Sequence, residues 1–287
     1  MKRLVIYFAL AYGITWLIWL PLILGEYGFE DLPVLPKYHH YLGSMGPAIA
    51  ALIMAYQWKG LSGVKSLIGR IFLWRVHWKW YVIVLIVPLM LVVGAGYLDQ
   101  MLNDQPFSMT GFSTNDEFPQ FGPLAFLLFN FVTFGVGEET GWRGFALPVL
   151  QNKFNALIAT LILAVGWACW HIPAFLYRPL YSQMDVAGII GFFMSMVMGA
   201  VVLTWLYNGT RGSLWIVAWF HAMIELMFMS DNVTVQMSTY EGAAIMIGAI
   251  LIILLAGPKN LSGRERQRDI ELVETERQAA ASSAAVP

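Results

Sequence analysis

Residues 80–98 of the chain are WYVIVLIVPLMLVVGAGYL, an uninterrupted apolar run without a single Asp, Glu, Lys or Arg. A helix needs about 20 such residues to cross the roughly 30 Å hydrocarbon core of a bilayer. In lipid, an unpaired backbone group costs several kcal/mol, so the segment must satisfy its own backbone hydrogen bonds. This stretch therefore predicts a transmembrane helix.

The composition of the whole chain agrees with a membrane protein. Hydrophobic residues make up 58% of the 287 residues and charged residues only 12%. A soluble domain carries about twice that charged fraction. The formal net charge is -1, so the chain lacks the basic excess of a nucleic-acid-binding protein and no nucleic-acid partner is expected. The single cysteine, Cys169, excludes an internal disulfide.

Further apolar runs bring the predicted number of membrane spans to about eight. They lie near residues 4–24, 41–58, 80–98, 123–147, 155–176, 186–207, 213–229 and 241–256. The chain is therefore expected to be an all-α, polytopic transmembrane helical bundle in contact with membrane lipid.

The charges of the loops predict how the bundle is oriented. The loop between the second and third spans has five basic residues and no acid, whereas the next loop has four acids and no base. These residues are Lys59, Lys65, Arg70, Arg75 and Lys79, followed by Asp99, Asp104, Asp116 and Glu117. Basic loops stay on the cytoplasmic side, so with eight spans both termini are expected in the cytoplasm.

Charged residues inside spans cost about 2.5–3.5 kcal/mol each, so each of them calls for a reason. The fourth predicted span contains GVGEETGWRG at residues 135–144. Glu139 and Arg143 are one helical turn apart and are predicted to form an ion pair. Glu138 points about 100° away and must serve another purpose. The alternative is that the span ends here and both carboxylates are solvated loop residues.

Two more polar clusters follow in later spans. In the fifth span, His171 lies one turn after Trp167; the alternative to a functional histidine is a packed, hydrogen-bonded one. In the middle of the seventh span, His221 and Glu225 are again one turn apart. The alternative there is a His–Glu hydrogen bond that holds two spans together.

Together, the three clusters favour hydrolytic chemistry. A Glu and a His can hold and deprotonate a water molecule, with or without a metal. A second His can donate to the oxyanion that forms when this water attacks a carbonyl. Two histidines and a carboxylate, here His171, His221 and Glu138, also form a candidate ligand set for a divalent metal such as Zn²⁺, with one position open. The HExxH motif of soluble metalloproteases is absent.

These residues resemble the CAAX-protease and bacteriocin-processing family of membrane proteins. The family pattern is a Glu-Glu-x-x-x-Arg helix, an aromatic-x-x-x-His helix and a His-x-x-x-Asn/Asp helix. It falls here on Glu138 to Arg143, Trp167 to His171 and His221 to Glu225, and the match covers roughly residues 120–230. The resemblance implies a membrane metallo-endopeptidase that cleaves a peptide or membrane-protein substrate, in some members the C-terminal tripeptide of a prenylated CAAX protein.

The resemblance also assigns roles to the residues. Glu138 and His171 would activate the water, Glu139 and Arg143 would form the supporting ion pair, and His221 with Glu225 would bind the oxyanion or complete a metal site. Two positions depart from the family, which usually has Phe at position 167 and Asn or Asp at position 225. An ionised Glu225 cannot donate to an oxyanion. It is therefore either protonated, a metal ligand or a partner of His221, or the activity is altered.

The sequence thus predicts an intramembrane endopeptidase of a bacterial plasma membrane. The expected parts are N-terminal spans at residues 1–120, a catalytic core at 121–258 and a charged cytoplasmic tail at 259–287 with a short surface helix and a disordered end. Two alternatives remain open. One is a proton- or metal-coupled transporter, against which no inverted repeat is found. The other is a non-catalytic immunity or scaffold member of the same fold.

Overall fold

The computed structural model describes residues 2–29, 35–36 and 38–269, and within these ranges all regular structure is helical. The all-α prediction is therefore confirmed. The α-helices are α1 (Lys2–Glu26), α2 (His39–Leu42), α3 (Gly46–Ile71), α4 (Lys79–Asn103), α5 (Pro123–Asn130), α6 (Glu139–Gly141), α7 (Leu147–Lys153), α8 (Ala156–Trp170), α9 (Pro179–Ser182), α10 (Val186–Gly209), α11 (Leu214–Met229) and α12 (Val235–Ala256).

The eight predicted spans correspond to long helical segments of a polytopic bundle. Within the described ranges, five segments are long and apolar enough to cross a membrane: α1, α4, α8 with its following turn to Leu176, α10 and α12. The shorter helix α11 is also apolar. The second predicted span corresponds to the part of α3 before its kink at Gly60, where φ is 56°. The fourth corresponds to the continuous helical segment of residues 123–153, which contains charged residues.

The fourth span is longer and less regular than predicted. It joins α5, α6 and α7 through two π-helical stretches, Phe131–Glu138 and Trp142–Ala146. Such π turns carry hydrogen bonds from residue i to i+5 and often occur at functional sites. Because the span continues to Lys153 rather than ending at residue 147, Glu138 lies at its middle.

The fifth span ends its α-helix earlier than predicted, at Trp170. The Asn155 side chain caps its start by accepting from the Ile158 amide at 2.9 Å. Pro173 has no amide hydrogen and follows within three residues of the helix end, where the chain continues as a 3₁₀ turn over Ile172–Leu176. Glu138, at the middle of the fourth span, and His171, directly after the end of α8, border the same cavity.

The last span begins earlier than predicted. Thr234 caps α12 by accepting from the Met237 amide at 3.0 Å, so the helix starts at Val235 and not at residue 241. Glu241 therefore lies inside the helix, where it is 1% exposed, rather than at its aqueous end. The threonine cap, which the hydropathy pattern does not register, is the physical reason for the difference.

The charged tail folds back onto the bundle. Its backbone contacts the ends of α7, α8 and α10: the Ala156 amide donates to Lys259 O at 3.0 Å, and Gln151 Nε2 donates to Gln267 O at 2.8 Å. Residues 263–269 form no helix, so the predicted surface helix is absent from this stretch. The hydrogen bonds to Gln151 and Ala156 hold the described, non-helical part of the tail against the bundle. The rest of the predicted tail, residues 270–287, lies outside the described residues.

Candidate active site

Four of the predicted site residues line one cavity inside the bundle. Glu138, His171, His221 and Glu225 come from three different spans and border a space of about 50 Å³, measured for the centre of a water molecule. A single water needs about 10–15 Å³ on this measure, so the cavity has room for a few waters or for the reacting part of a substrate. The other two predicted residues, Glu139 and Arg143, lie behind its wall.

One oxygen of Glu138 is fixed by tryptophan side chains. Its Oε2 atom accepts from Trp167 Nε1 at 2.7 Å and from Trp142 Nε1 at 3.4 Å. The glutamate is 2% exposed, so these bonds compensate part of the cost of its burial. The tryptophan at position 167 therefore provides a donor that the usual phenylalanine of the family lacks. With Oε2 held in this way, Oε1 is the oxygen left for a water in the cavity.

Glu139 forms the ion pair with Arg143 and also binds a histidine. Arg143 Nη1 donates to Glu139 Oε1 at 2.8 Å, and both side chains are fully buried. The same oxygen lies 2.7 Å from His221 Nδ1. A carboxylate oxygen in an ion pair can only accept, so Nδ1 carries the proton of this hydrogen bond. The ring of His221 is thus held with Nε2 toward the cavity.

The ring of His171 is oriented by its own helix. Its Nδ1 atom lies 2.9 Å from Trp167 O, and because a carbonyl can only accept, Nδ1 is the donor. In the neutral ring, Nε2 then carries the lone pair and can accept a proton from water. Trp170 supports this orientation through an edge-to-face contact, with ring centroids 4.6 Å apart. The geometry therefore provides a carboxylate oxygen and an imidazole nitrogen at one cavity.

Glu225 lies beside His221 at the edge of the cavity. Its Oε1 atom is 3.6 Å from His221 Nε2, and its side chain is 29% exposed. Of the interpretations that the sequence left open, this position fits a partner of His221. At 3.6 Å the contact is an ion-pair distance rather than a hydrogen bond.

The side chains of the predicted metal set are not gathered around one point in this structure. Over the ranges that the structure describes, no three His, Cys, Asp or Glu side chains are grouped as ligands for one ion. Glu138 Oε2 and His221 Nδ1 are already engaged by Trp167 and Glu139. The divalent-metal site of Glu138, His171 and His221 therefore stays a prediction.

The sequence did not point to several other residues that line the cavity. His40, Ser44, Arg178 and Tyr181 come from α2 and its following turn, and from the segment that follows the fifth span. Each is a single polar residue near the end of an apolar run, so it carries no motif. The one available signal was Arg178, a basic residue in a loop that the charge pattern places on the acidic side.

Comparison with known proteins agrees with the resemblance found in the motifs. Residues 120–227 match the family described as Type II CAAX prenyl endopeptidase Rce1-like. A protein named CAAX prenyl protease 2 from Methanococcus maripaludis is 26% identical over 266 residues, covering 87% of this chain and 92% of its own length. The matched segment contains Glu138, His171, His221 and Glu225. Residues 120–227 are thus similar to the family of Rce1-like type II CAAX prenyl endopeptidases.

Proposed function

We propose that this protein is an intramembrane endopeptidase in which Glu138 and His171 activate the attacking water. The observation that carries the proposal is the pair of acceptors at one cavity, with Glu138 Oε2 held by Trp167 and His171 Nδ1 held by Trp167 O. Both bonds lead to one tryptophan, which couples the positions of the two side chains. Glu138 takes the proton of the water, and His171 orients it for attack on the peptide carbonyl.

His221 serves the oxyanion in this mechanism. Its Nε2 atom faces the cavity because Glu139 holds the opposite side of the ring, and Arg143 holds Glu139. A protonated Nε2 donates to the negative oxygen that develops in the transition state. Glu225 cannot donate when ionised, and its Oε1 atom lies 3.6 Å from the same Nε2, so it orients this nitrogen before the reaction and gives way when the oxyanion forms.

The relative's name and the matched family support a proposal for the substrate class. We propose that the chain cleaves near the C-terminus of a membrane-associated peptide or protein, as the name CAAX prenyl protease 2 indicates for the relative. The cavity is small and lies within the bundle, so the scissile segment must enter it in an extended form.

Replacing the two water-activating residues tests the proposal. Glu138→Gln and His171→Asn should each reduce cleavage of a CAAX-type peptide by at least about 1000-fold while the protein remains folded in detergent. Glu241→Gln is a matched control, because Glu241 is also a buried glutamate but lies in α12 and does not line the cavity. Normal cleavage by both cavity variants would refute the mechanism.

The remaining alternatives have separate readouts. Metal analysis of the purified protein and cleavage after treatment with a chelator test the predicted divalent ion. Uptake by liposomes that depends on His221, without proteolysis, would support a transporter. If the native protein is inactive and Glu225→Asn gains cleavage, the chain is a non-catalytic immunity or scaffold member.

We also propose that both termini lie in the cytoplasm of the cell that makes the protein, as the loop charges predict. The start of α8 contacts the C-terminal tail through Ala156, so it lies on the cytoplasmic side in this orientation. His171 and Arg178, at and beyond the opposite end of α8, then lie toward the external half of the membrane. The plasma membrane remains the proposed location.

A further inference from the structure

Arg178 is a buried cation at the candidate active site with incomplete hydrogen bonding. It is 8% exposed and borders the same cavity as Glu138 and His171. Its guanidinium carbon lies 5.3 Å from the ring centroid of Tyr41 and 5.8 Å from that of Tyr181. Within the described part of the chain, its buried Nε atom has no hydrogen-bond partner. A buried guanidinium with an unused donor is costly unless a ligand completes its shell.

Arg178 makes only long contacts with the protein's own nearby carboxylate, Glu117. Arg178 Nη2 lies 3.3 Å and 3.5 Å from the two oxygens of Glu117, whereas charge-assisted bonds of this kind are usually about 2.7–2.9 Å. Glu117 belongs to the loop between α4 and α5, and its side chain is 28% exposed. Its stronger contact is with Tyr41, whose hydroxyl donates to Oε2 at 2.5 Å. Tyr41 therefore holds Glu117 more closely than Arg178 does, and the guanidinium binds this carboxylate only at long distance.

Arg178 lies one short peptide away from the water-activating residues. The Tyr181 ring lies 6.4 Å from the His171 ring and 5.8 Å from Arg178 Cζ, so His171 and Arg178 are within about 12 Å of each other. Three extended residues span about 10 Å. The motif resemblance implies a cut three residues before the end of the substrate, and a peptide of that length can reach from His171 to Arg178.

The other charges at the cavity favour one orientation of the peptide, with its C-terminal carboxylate at Arg178. Arg178 is the one Lys or Arg among the residues that border it, all of which belong to the described ranges. The carboxylates of Glu138 and Glu225 lie at the same cavity and repel an anionic end. A free carboxylate is therefore more stable beside Arg178 than beside Glu138 and Glu225.

We propose that Arg178 is a carboxylate-binding subsite that takes the free C-terminus of the substrate peptide in exchange for Glu117. This inference rests on the proposed endopeptidase function and adds the group that sets where the cut falls. The guanidinium matches a carboxylate with two parallel donors, which a neutral amide cannot satisfy. Removing Glu117 should strengthen the subsite, since it removes the competing carboxylate.

Two peptides that differ at one group test the subsite. Both have a prenylated cysteine four residues from the end; one ends in a free carboxylate and the other in a carboxamide. Dissociation constants are measured with the folded Glu138→Gln protein and kcat/KM with the native protein. The peptide with the free carboxylate should bind at least tenfold more tightly and have a kcat/KM at least tenfold higher. The difference in kcat/KM should come from KM, with kcat unchanged.

The variants assign this preference to Arg178. Arg178→Gln should remove it, Arg178→Lys should keep part of it, and Glu117→Gln should increase it. Arg75→Gln, a cation in the loop before α4, should leave it unchanged. If Arg178→Gln does not fold, the lysine and Glu117 variants decide the question.

The outcomes separate this inference from the function on which it rests. Equal binding of the two peptides, or a preference that Arg178→Lys and Glu117→Gln do not change, overturns the subsite. If the native protein binds the carboxylate peptide selectively but never cleaves it, the endopeptidase proposal fails and the subsite stands.

Discussion

A single carboxylate, Glu139, organises the candidate active site at the scale of residues. It accepts from Arg143 and from His221 through the same oxygen, so one buried anion faces two groups that can carry positive charge. The Arg143 guanidinium also lies over the Trp167 ring, 4.6 Å from its centroid. Arg143 therefore supports both His221, through Glu139, and the tryptophan that holds Glu138.

We expect Arg143→Met to destabilise the protein strongly. The substitution leaves the Glu139 carboxylate buried without its main counter-charge, which costs about 3–5 kcal/mol. Thermal unfolding in detergent, followed by tryptophan fluorescence, should shift down by about 10 °C. The double variant Glu139→Gln/Arg143→Met should recover part of this loss, because neither buried charge then remains. A double variant whose loss equals the sum of the two single losses would contradict the coupling.

At the scale of elements, the fourth span is packed against its neighbours through glycines. A Cβ atom at Gly135 would lie 2.6 Å from Ala218 O in α11, and one at Gly137 would lie 2.6 Å from Ser44 O. Gly141 likewise faces the Tyr7 hydroxyl and Pro47. The lack of side chains at these positions allows the π-helical segment to approach α11 and the N-terminal helices closely enough for Glu139 to reach His221.

Gly135→Ala should therefore separate α11 from the fourth span. The added methyl group meets backbone, which cannot rotate away, so the substitution should cost about 1–3 kcal/mol. A displacement near 1 Å at His221 should lower cleavage by about 100-fold. Gly94→Ala is the matched control, since nothing lies within 4 Å of a Cβ atom there. Equal activity of the two variants would show that this close contact does not position the site.

At the scale of the whole molecule, the tail closes the cytoplasmic end of the bundle in the proposed orientation. Asn208 is the centre of this contact: Nδ2 donates to Gln151 Oε1 at 2.9 Å and to Asn260 O at 2.8 Å, and Oδ1 accepts from the Gln267 amide at 3.0 Å. At the edge, Lys59 and Asp269 form an ion pair at 2.8 Å. The tail up to residue 269 is therefore part of the folded protein.

Asn208→Ala should release the tail and so also report the orientation. Trypsin should cut after Arg264, Arg266 or Arg268 about tenfold faster than in the native protein, because cleavage follows the population of the open form. The cut should occur in inside-out vesicles and not in right-side-out vesicles. Asn232→Ala, at a loop contact to Ser108 O, should not change the rate at these arginines. Cleavage from the outside alone would reverse the proposed topology.

The predicted boundary between an N-terminal part and a catalytic core at residue 120 stays a prediction. The cavity draws on both sides of that boundary, since His40 and Ser44 line it together with Glu138 and His171. A division at residue 120 therefore separates residues that line one cavity.

The sequence by itself determined the fold class and the approximate spans. Apolar runs of membrane length have no stable alternative to helices in lipid. Residues 80–98 and the other predicted spans could therefore be recognised from their own sequence, without knowledge of their neighbours in the fold. The Glu139–Arg143 pair was also accessible, because residues four apart on a helix are neighbours wherever that helix lies. The spacing of residues within each of the three polar motifs is also local, and it was enough to reveal the resemblance to the CAAX-protease family.

Only the tertiary structure decided what surrounds those motifs. The π turns and the early end of α8 have no hydropathy signal, although they lie in the segments that carry Glu138, Trp167 and His171. In the folded protein Glu138 binds Trp167 and shares a cavity with His171. Glu139 reaches His221 across 82 positions of sequence, and Arg178 reaches Tyr41 across 137. Such contacts depend on which helix faces pack together, and that choice is made by the shape and charge of the whole bundle rather than by any local pattern.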